Sequence, residues 1–207
     1  MSLMLQHTQS NGAKRLTSYD KASQNRVRTI SKLSDCKFLS SRPHFIPTPR
    51  PRNGSTIAKG LSYQRKWTDQ IKVLSYSCFQ HRLFSGIERN EIEILPEQWF
   101  IYADSGGTGY AESDLIVVVQ PLRMAFIFEC KRTHNDRGLV QLGQLYSPLV
   151  QFLYPDFRIF GLLVCRNLDS RVNRKYLLPE ISEWFSRIEE SLISGEQIPL
   201  YSLCWRG

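Results

Sequence analysis

The apolar positions of the chain follow the periods of helices and strands from about residue 60 onward. A first apolar stripe at helical spacing predicts a helix over roughly residues 61–82. A second stripe predicts a helix over about residues 138–154, and a third predicts one over about residues 179–194, with Pro179 in its first turn. These stripes consist, in order, of Tyr63, Trp67, Ile71, Leu74 and Cys78; of Leu139, Leu142, Tyr146, Leu149 and Leu153; and of Ile181, Trp184, Phe185, Ile188 and Leu192.

Short β-rich runs lie between and after these helices. Residues 99–102, 115–119 and 125–128 predict three strands, the last two of them buried and central because they are apolar on both faces. Residues 158–164 predict a fourth strand and 198–203 a fifth, while the glycine-rich stretch 104–109 predicts a flexible loop. The order is helix, three strands, helix, strand, then an added helix and strand. This order predicts an α/β fold with a mixed central sheet flanked by helices.

Charge divides the chain into two parts. Residues 1–59 contain eleven Lys or Arg against two acids, whereas the remainder of the chain is close to neutral, within a total net charge of +8. Residues 1–58 also lack a sustained period and are rich in polar residues and proline, so we expect a basic, flexible leader over 1–58 and a folded domain over 59–207. Such a leader suits contact with phosphates, although a solubilising tail has the same composition.

Several classes of protein are not supported by the sequence. The chain has no run of 18 apolar residues and its first residues are polar and basic, so we expect neither a membrane partner nor a secretory signal. The five cysteines and four histidines are scattered without metal-ligand spacing. They indicate reduced thiols in a cytoplasmic setting and no zinc site.

The candidate chemistry lies on the hairpin formed by the two central strands. Gln-Pro-Leu-Arg at 120–123 fits a four-residue turn, and a turn centred between Pro121 and Leu122 pairs residues whose numbers sum to 243. Asp114 then lies opposite Glu129, and Lys131 points to the same face. Two facing carboxylates favour a hard divalent cation between them, Mg²⁺ or Mn²⁺, with the carbonyl of Cys130 as a third protein ligand.

The same residues also have an interpretation without a catalytic role. Glu-x-Lys on a strand usually marks a solvated face with a weak ion pair. Here both strands are apolar on both faces, so the charged residues at their ends are not ordinary residues of a solvated surface. We therefore interpret Asp114, Glu129 and Lys131 as catalytic, with Lys131 orienting the attacking water or stabilising the developing charge.

Ser113-Asp114, a short hairpin and Glu129-Cys130-Lys131 resemble the motif of the PD-(D/E)XK nucleases, with Ser113 where that family often has proline. The element order over about residues 60–166 is similar to their restriction-endonuclease-like core, αβββαβ, and the wider pattern is similar to small phage-encoded members. The resemblance implies a Mg²⁺-dependent endonuclease that hydrolyses DNA, with Gln144 as a further catalytic residue on the helix after the motif. Many members carry an acid at the position of Gln64; Glu88 and Glu112 are the acidic alternatives.

DNA is the expected partner, and dimerisation would suit paired cuts. The candidate phosphate contacts are Lys59, Arg65, Lys66, Arg132, His134 and Arg137. Gln144 is equally well explained as a solvated helix residue, and the residues after Lys131 as a plain basic loop. Two other functions stay open: a non-catalytic nucleic-acid-binding protein on the same fold, and an interaction protein that docks through its basic tail.

Overall fold

The computed structural model describes residues 29–30, 32–46, 53–74, 81–168 and 172–206. Most of the predicted leader, the proline-rich run 47–52, the predicted end of the first helix beyond residue 74 and Cys78 lie outside the described residues. The predictions made for those segments therefore stay predictions.

Seven strands and four α-helices are described. The helices are α1 (Thr56–Leu74), α2 (Asp136–Gln141), α3 (Ser147–Leu153) and α4 (Ile181–Ser194), and a π-helical segment, Leu142–Tyr146, joins α2 to α3. The strands are β1 (Asp35–Leu39), β2 (Ile92–Asp104), β3 (Gly107–Val119), β4 (Met124–Thr133), β5 (Arg158–Asn167), β6 (Leu177–Leu178) and β7 (Tyr201–Cys204). Short 3-10 turns lie at Arg82–Phe84, Arg89–Glu91 and Arg174–Tyr176.

All seven strands form one mixed sheet in the order β1-β2-β3-β4-β5-β7-β6. The strands β1 to β4 pair antiparallel, whereas β5 and β7 add in parallel beyond β4. The parallel pairing of β4 with β5 requires a crossover connection, and α2, the π-helical segment and α3 supply it. The mixed central sheet flanked by helices confirms the predicted fold class at this level.

Each face of the sheet carries its own hydrophobic core. On one face, Tyr63, Trp67 and Ile71 of α1 and Trp184 of α4 pack on alternate residues of β3, β4 and β5; we call this the first core. On the other face, Leu142, Leu145, Tyr146, Leu149 and Val150 of the crossover pack on the intervening residues, which include Ile116, Val118, Ala125 and Ile127; we call this the second core. A strand whose two faces are both covered has no polar alternation, which explains the continuous apolar runs in β3 and β4.

The register of the central hairpin confirms the prediction from the turn. Five pairs run from Leu115 with Phe128 to Val119 with Met124, and each pair sums to 243. The flanking strands differ from the prediction, because β2 and β3 are each 13 residues long. The glycine-rich stretch predicted as a loop is a tight turn, Ser105-Gly106, followed by the start of β3, since Asp104 pairs with Gly107.

The strand β1 is the main departure from the expected layout. The sequence predicted no regular structure before residue 59, yet Asp35–Leu39 pairs with β2 over five residues and α1 begins at Thr56. Cys36 is buried in the second core, and Phe38 packs against that core. These residues form a strand although their own pattern predicts none, because the edge of β2 supplies a hydrogen-bonding partner that local sequence does not reveal.

The proline in the crossover acts as predicted. Pro148 has no N–H to give to the carbonyl of Gln144. That carbonyl instead accepts a hydrogen bond from the backbone N–H of Ile30, at 3.0 Å. The helix adopts a π-helical turn at this point, and the N-terminal segment is tied to it.

Within the described ranges, no helix is long and apolar enough to cross a membrane. The four described cysteines are free thiols, and Cys36, Cys130 and Cys165 are buried.

Candidate functional site

The pairing of β3 with β4 stops where the polar residues begin. A continued ladder would pair Ser113 with Cys130, so that the N–H of Cys130 met the carbonyl of Ser113. Instead, the Cys130 N–H donates to Oδ2 of Asp114, at 2.6 Å. The Asp114 carboxylate thus replaces a backbone carbonyl as the acceptor, between the two strands. Because the N–H and C=O of one residue in a strand point to the same side, the Cys130 carbonyl is also directed toward β3.

The pairing of β2 with β3 is interrupted at the same position. The ladder runs from Ile92 with Val119 to Asp104 with Gly107 but omits the pair of Glu97 and Asp114. Glu97 has φ +49°, a left-handed conformation that a residue with a Cβ rarely adopts. Asp114 therefore lies at a break in both ladders that flank its strand.

Glu129 and Lys131 form an ion pair on β4. Nζ of Lys131 donates to Oε1 of Glu129. The Glu129 side chain is 2% exposed, whereas that of Lys131 is 30% exposed. The other carboxylate oxygen, Oε2 of Glu129, is buried and has no hydrogen-bond partner among the described residues. A buried carboxylate oxygen without a donor is costly, and it is the kind of atom that a cation would satisfy.

The charges at this site are strongly coupled. Burial raises the pKa of Asp114 well above its usual value, and the negative charge of Glu129 raises it further, while Lys131 acts in the opposite direction. Burial by itself lowers the pKa of Lys131, but the charges on Glu129 and Asp114 outweigh that effect, so the pKa is raised. Lys131 is therefore protonated at neutral pH and serves as a donor, not as a base.

Glu112 is a third acid near this site. Its pKa is raised by burial and by the negative charges of Glu97 and Glu129, although Arg42 lowers it. Trp99 gives its carboxylate a side-chain hydrogen bond, and the hydroxyl of Tyr146 donates to its backbone carbonyl, at 2.7 Å. The sequence signal for Glu112 was its i,i+2 spacing from Asp114, which places both residues on one face of a regular strand. Of the two acidic alternatives, Glu88 belongs instead to the cap of a 3-10 turn.

The donor set fits a hard cation in part. Asp114 and Glu129 offer carboxylate oxygens, the Cys130 carbonyl faces the same gap, and Glu129 Oε2 is unsatisfied. Oxygen donors of this kind are what Mg²⁺ takes, usually together with several waters. Within the described part of the chain, no three side chains of His, Cys, Asp or Glu are arranged to hold a metal ion. A backbone carbonyl and water would therefore have to complete the coordination.

The other predicted site residues are spread over the molecule. Gln144 is exposed on the π-helical segment. Lys59, Arg65 and Lys66 are exposed on α1, next to Gln64. This helix covers the first core, whereas Glu129 and Lys131 alternate with residues of that core and so point to the other face. The basic residues of α1 are therefore not brought together with the carboxylates.

The basic residues after Lys131 divide into two groups. Arg132 is half-buried at the end of β4, and Arg137 is exposed on α2. His134 is buried, and its Nε2 lies 3.1 Å from the hydroxyl of Ser202. Its ring therefore connects the residue after β4 to Ser202 of β7, and the expectation that it binds a phosphate is not supported by its position.

Comparison with known proteins found no match: no family model, no curated protein and no solved structure matches this chain.

Proposed function

We propose that this protein is a metal-dependent endonuclease that hydrolyses DNA phosphodiester bonds with a site of the PD-(D/E)XK type. The observation that carries the proposal is the break at the end of the β3–β4 hairpin. Asp114 enters the gap between the strands, and Glu129 presents a buried oxygen without a partner beside the amine of Lys131. A fold gains no stability from such an arrangement, so a functional reason for it is favoured.

Each residue has a separate part in the proposed reaction. Asp114, Glu129 and the carbonyl of Cys130 would hold Mg²⁺, with Mn²⁺ as a substitute. An ion held by these groups would supply an activated water and would neutralise charge on the phosphate. Lys131, kept protonated by its acidic neighbours, donates to the developing negative charge. One such donor contributes on the order of 3 kcal/mol to the transition state.

Basic residues near the site would hold the nucleic acid. Arg137, on α2 of the crossover, lies on the side of the sheet to which Lys131 points. Arg132, the neighbour of Lys131 in β4, points to the opposite face. Contacts of this kind go to phosphates and carry no sequence information. We therefore expect binding that weakens steeply as salt increases and that is shared by DNAs of different sequence.

The decisive experiment measures cleavage of supercoiled plasmid by the full chain with Mg²⁺, with Mn²⁺ and with EDTA. Wild type should cut only with metal, and Lys131→Ala should lower the rate at least about 100-fold, the usual effect of losing one charge-stabilising donor. Lys37→Ala, which removes a lysine that is 72% exposed on β1, is the matched control and should cut like wild type.

Thermal unfolding of each variant is recorded beside the assay, so that loss of activity is separated from loss of fold. A folded Lys131→Ala protein that cuts at the wild-type rate would overturn the proposal. Equal cutting in EDTA would also overturn it.

One observation favours a second function, nucleic-acid binding without cleavage. Lys131 already neutralises one oxygen of Glu129, and among the described residues no three His, Cys, Asp or Glu side chains are grouped to hold a metal ion. That function predicts salt-sensitive DNA affinity in wild type with no cleavage under either metal, across duplex, single-stranded and branched substrates.

A further inference from the structure

Two cysteines lie side by side at one end of the sheet. Cys165 on β5 and Cys204 on β7 are register partners in the parallel ladder, and theirs is its last pair. The preceding pair, Val164 and Leu203, points into the first core. Because side chains alternate along a strand, Cys165 and Cys204 both point to the opposite face.

The two sulfur atoms both lie in the gap between the strands. Sγ of Cys165 is 3.5 Å from the carbonyl oxygen of Leu203, on the strand of its partner. Sγ of Cys204 is 3.5 Å from the carbonyl oxygen of Arg166, on the strand of Cys165. Each thiol thus reaches across to the other strand.

This separation suits a disulfide bond. Paired strands lie about 4.8 Å apart, and disulfides bridge Cα atoms about 4.4–6.8 Å apart. The pair also ends the ladder, where a strand can adjust most easily; beyond it, one backbone bond from Trp205 N–H to the Cys165 carbonyl, at 2.8 Å, holds the strands together.

We propose that Cys165 and Cys204 form a reversible intramolecular disulfide when the protein meets a peroxide. This inference does not depend on the proposed nuclease function. Cys165 is also the register partner of Lys131, so the bond forms one strand away from the candidate site.

The chemistry begins at Cys204, because it is half-exposed whereas Cys165 is fully buried. Burial and the neighbouring Cys204 raise the pKa of Cys165 to about 12, which keeps Cys165 a thiol. The Cys204 thiolate attacks one oxygen of hydrogen peroxide, giving the sulfenic acid and, after proton transfer, water. The Cys165 thiol then attacks the sulfur of that sulfenic acid and gives its proton to the departing hydroxyl, forming the S–S bond and a second water. The two thiols together lose two protons and two electrons, and a dithiol reductant restores them.

The test treats the folded full chain with hydrogen peroxide, alkylates the remaining thiols after unfolding and maps the peptides by mass spectrometry. We expect a linked peptide pair containing Cys165 and Cys204, lighter by two hydrogens than the two free peptides and abolished by dithiothreitol. Cys204→Ser should reduce the pair to background. Cys36→Ser, at a buried thiol on β1 whose pKa is also raised to about 12, should leave its yield unchanged.

Other outcomes overturn the proposal. In one, Cys204 becomes a sulfinic acid while Cys165 is still fully alkylated after unfolding. In the other, Cys204 joins a second chain or Cys78. Because Cys165→Ser alters a fully buried position and can disturb folding, Cys204→Ser carries the decision, with thermal unfolding recorded to show that it is folded.

Discussion

The two ends of the β3–β4 hairpin are built from the same strands in opposite ways. At the turn end, five consecutive pairs keep one register, and all ten residues are apolar and buried. At the other end the pairing stops, the β2 ladder is interrupted beside it, and the residues are Ser113, Asp114, Glu129 and Lys131. One end maximises packing and backbone hydrogen bonding, while the other leaves a buried oxygen of Glu129 unsatisfied.

We call the turn end, with its five pairs, the paired end, and the end at Asp114 and Glu129 the open end. The paired end contributes stability, whereas the open end contains the polar chemistry. The paired end fixes the position of the strands, because both faces are covered by hydrophobic cores. The open end depends on that support, since close carboxylates repel each other and burial penalises their charges. We therefore expect substitutions at the paired end to act mainly on folding, and substitutions at the open end to act on charge, pH dependence and metal response.

The largest effect on stability should come from the paired end. Ile127→Ala removes a side chain that is fully buried in the second core and should lower the free energy of unfolding by about 3 kcal/mol. Ile193→Ala, at a position that is 83% exposed, is the matched control and should change it by less than about 0.5 kcal/mol. Urea unfolding of the full chain measures both. A loss below about 1 kcal/mol for Ile127→Ala would show that this end is not the anchor of the hairpin.

At the open end, substitution of Glu129 and substitution of Lys131 should lower the stability by unequal amounts. Lys131→Met leaves the carboxylate of Glu129 buried without its cation and should lower the free energy of unfolding in metal-free buffer by about 2 kcal/mol. The loss is kept to this size because Lys131 is partly exposed, which weakens the pair. Glu129→Gln should cost less, because Lys131 can turn toward water.

The double variant, with Glu129→Gln and Lys131→Met together, completes a double-mutant cycle and is measured by the same urea unfolding. It should be more stable than Lys131→Met alone, because no buried charge is left unpaired. If the two single variants lose equal stability and their effects add, the buried charge of Glu129 is not what makes this end costly.

Asp114 should make the open end sensitive to pH and to metal. Its folded-state pKa is raised above the ordinary value of 3.8, so its folded form holds the proton more tightly than its unfolded form. Stability is therefore lost as the pH rises from that ordinary value through the folded pKa. Asp114→Asn keeps an acceptor for the Cys130 N–H without this loss. In EDTA it should be more stable than wild type at neutral pH, and the difference should vanish below pH 3.8.

Metal should narrow the difference in stability between these two proteins. At ten times its Kd, Mg²⁺ stabilises the protein that binds it by about 1.4 kcal/mol. Wild type should gain this amount, whereas Asp114→Asn should gain little. Thermal unfolding with and without Mg²⁺ checks the prediction, and an equal response of the two proteins would remove Asp114 from the proposed metal site.

The paired end could be predicted from the sequence, and the open end only in part. Gln-Pro-Leu-Arg sets the turn and hence the register, and the apolar runs identify both strands as central. Extended beyond Leu115 and Phe128, the register predicts Asp114 opposite Glu129, although the ladder ends before that pair. It does not predict that Asp114 turns into the gap between the strands. Pro96, directly before Glu97, indicates an interruption in β2 but not its effect on Asp114.

Contacts between distant segments explain the other differences. The strand β1 is only five residues long and is stabilised by β2, more than 50 residues later in the chain, so its own pattern is too short to predict it. The basic residues of α1 were predicted to contact phosphates, but α1 packs on the face of the sheet opposite to Glu129 and Lys131. The face on which a helix packs depends on its apolar side and on the connections of the sheet. Resemblance of a motif cannot supply that information.

The smallest predicted effect concerns two residues with a strained backbone, one at each end of the hairpin region. Arg123, in the turn, and Glu97, beside Asp114, both have φ +49°. Glycine relieves this strain but increases the entropy of the unfolded chain. Arg123→Gly should therefore raise the free energy of unfolding by only about 0.5 kcal/mol, with no effect on metal response, because the turn is far along the ladder from Asp114.

Glu97→Gly should give a similar gain in stability and should also change the open end. Removing the negative charge of Glu97 lowers the raised pKa of Glu112, which is itself coupled to Asp114. The pH at which metal-free stability falls should therefore move lower in Glu97→Gly and stay unchanged in Arg123→Gly. Urea unfolding between acidic and neutral pH distinguishes the two variants. Identical pH profiles would mean that the break at Glu97 is a local backbone adjustment with no electrostatic connection to the carboxylates, and the contrast between the two ends would then depend on Asp114 and Glu129 alone.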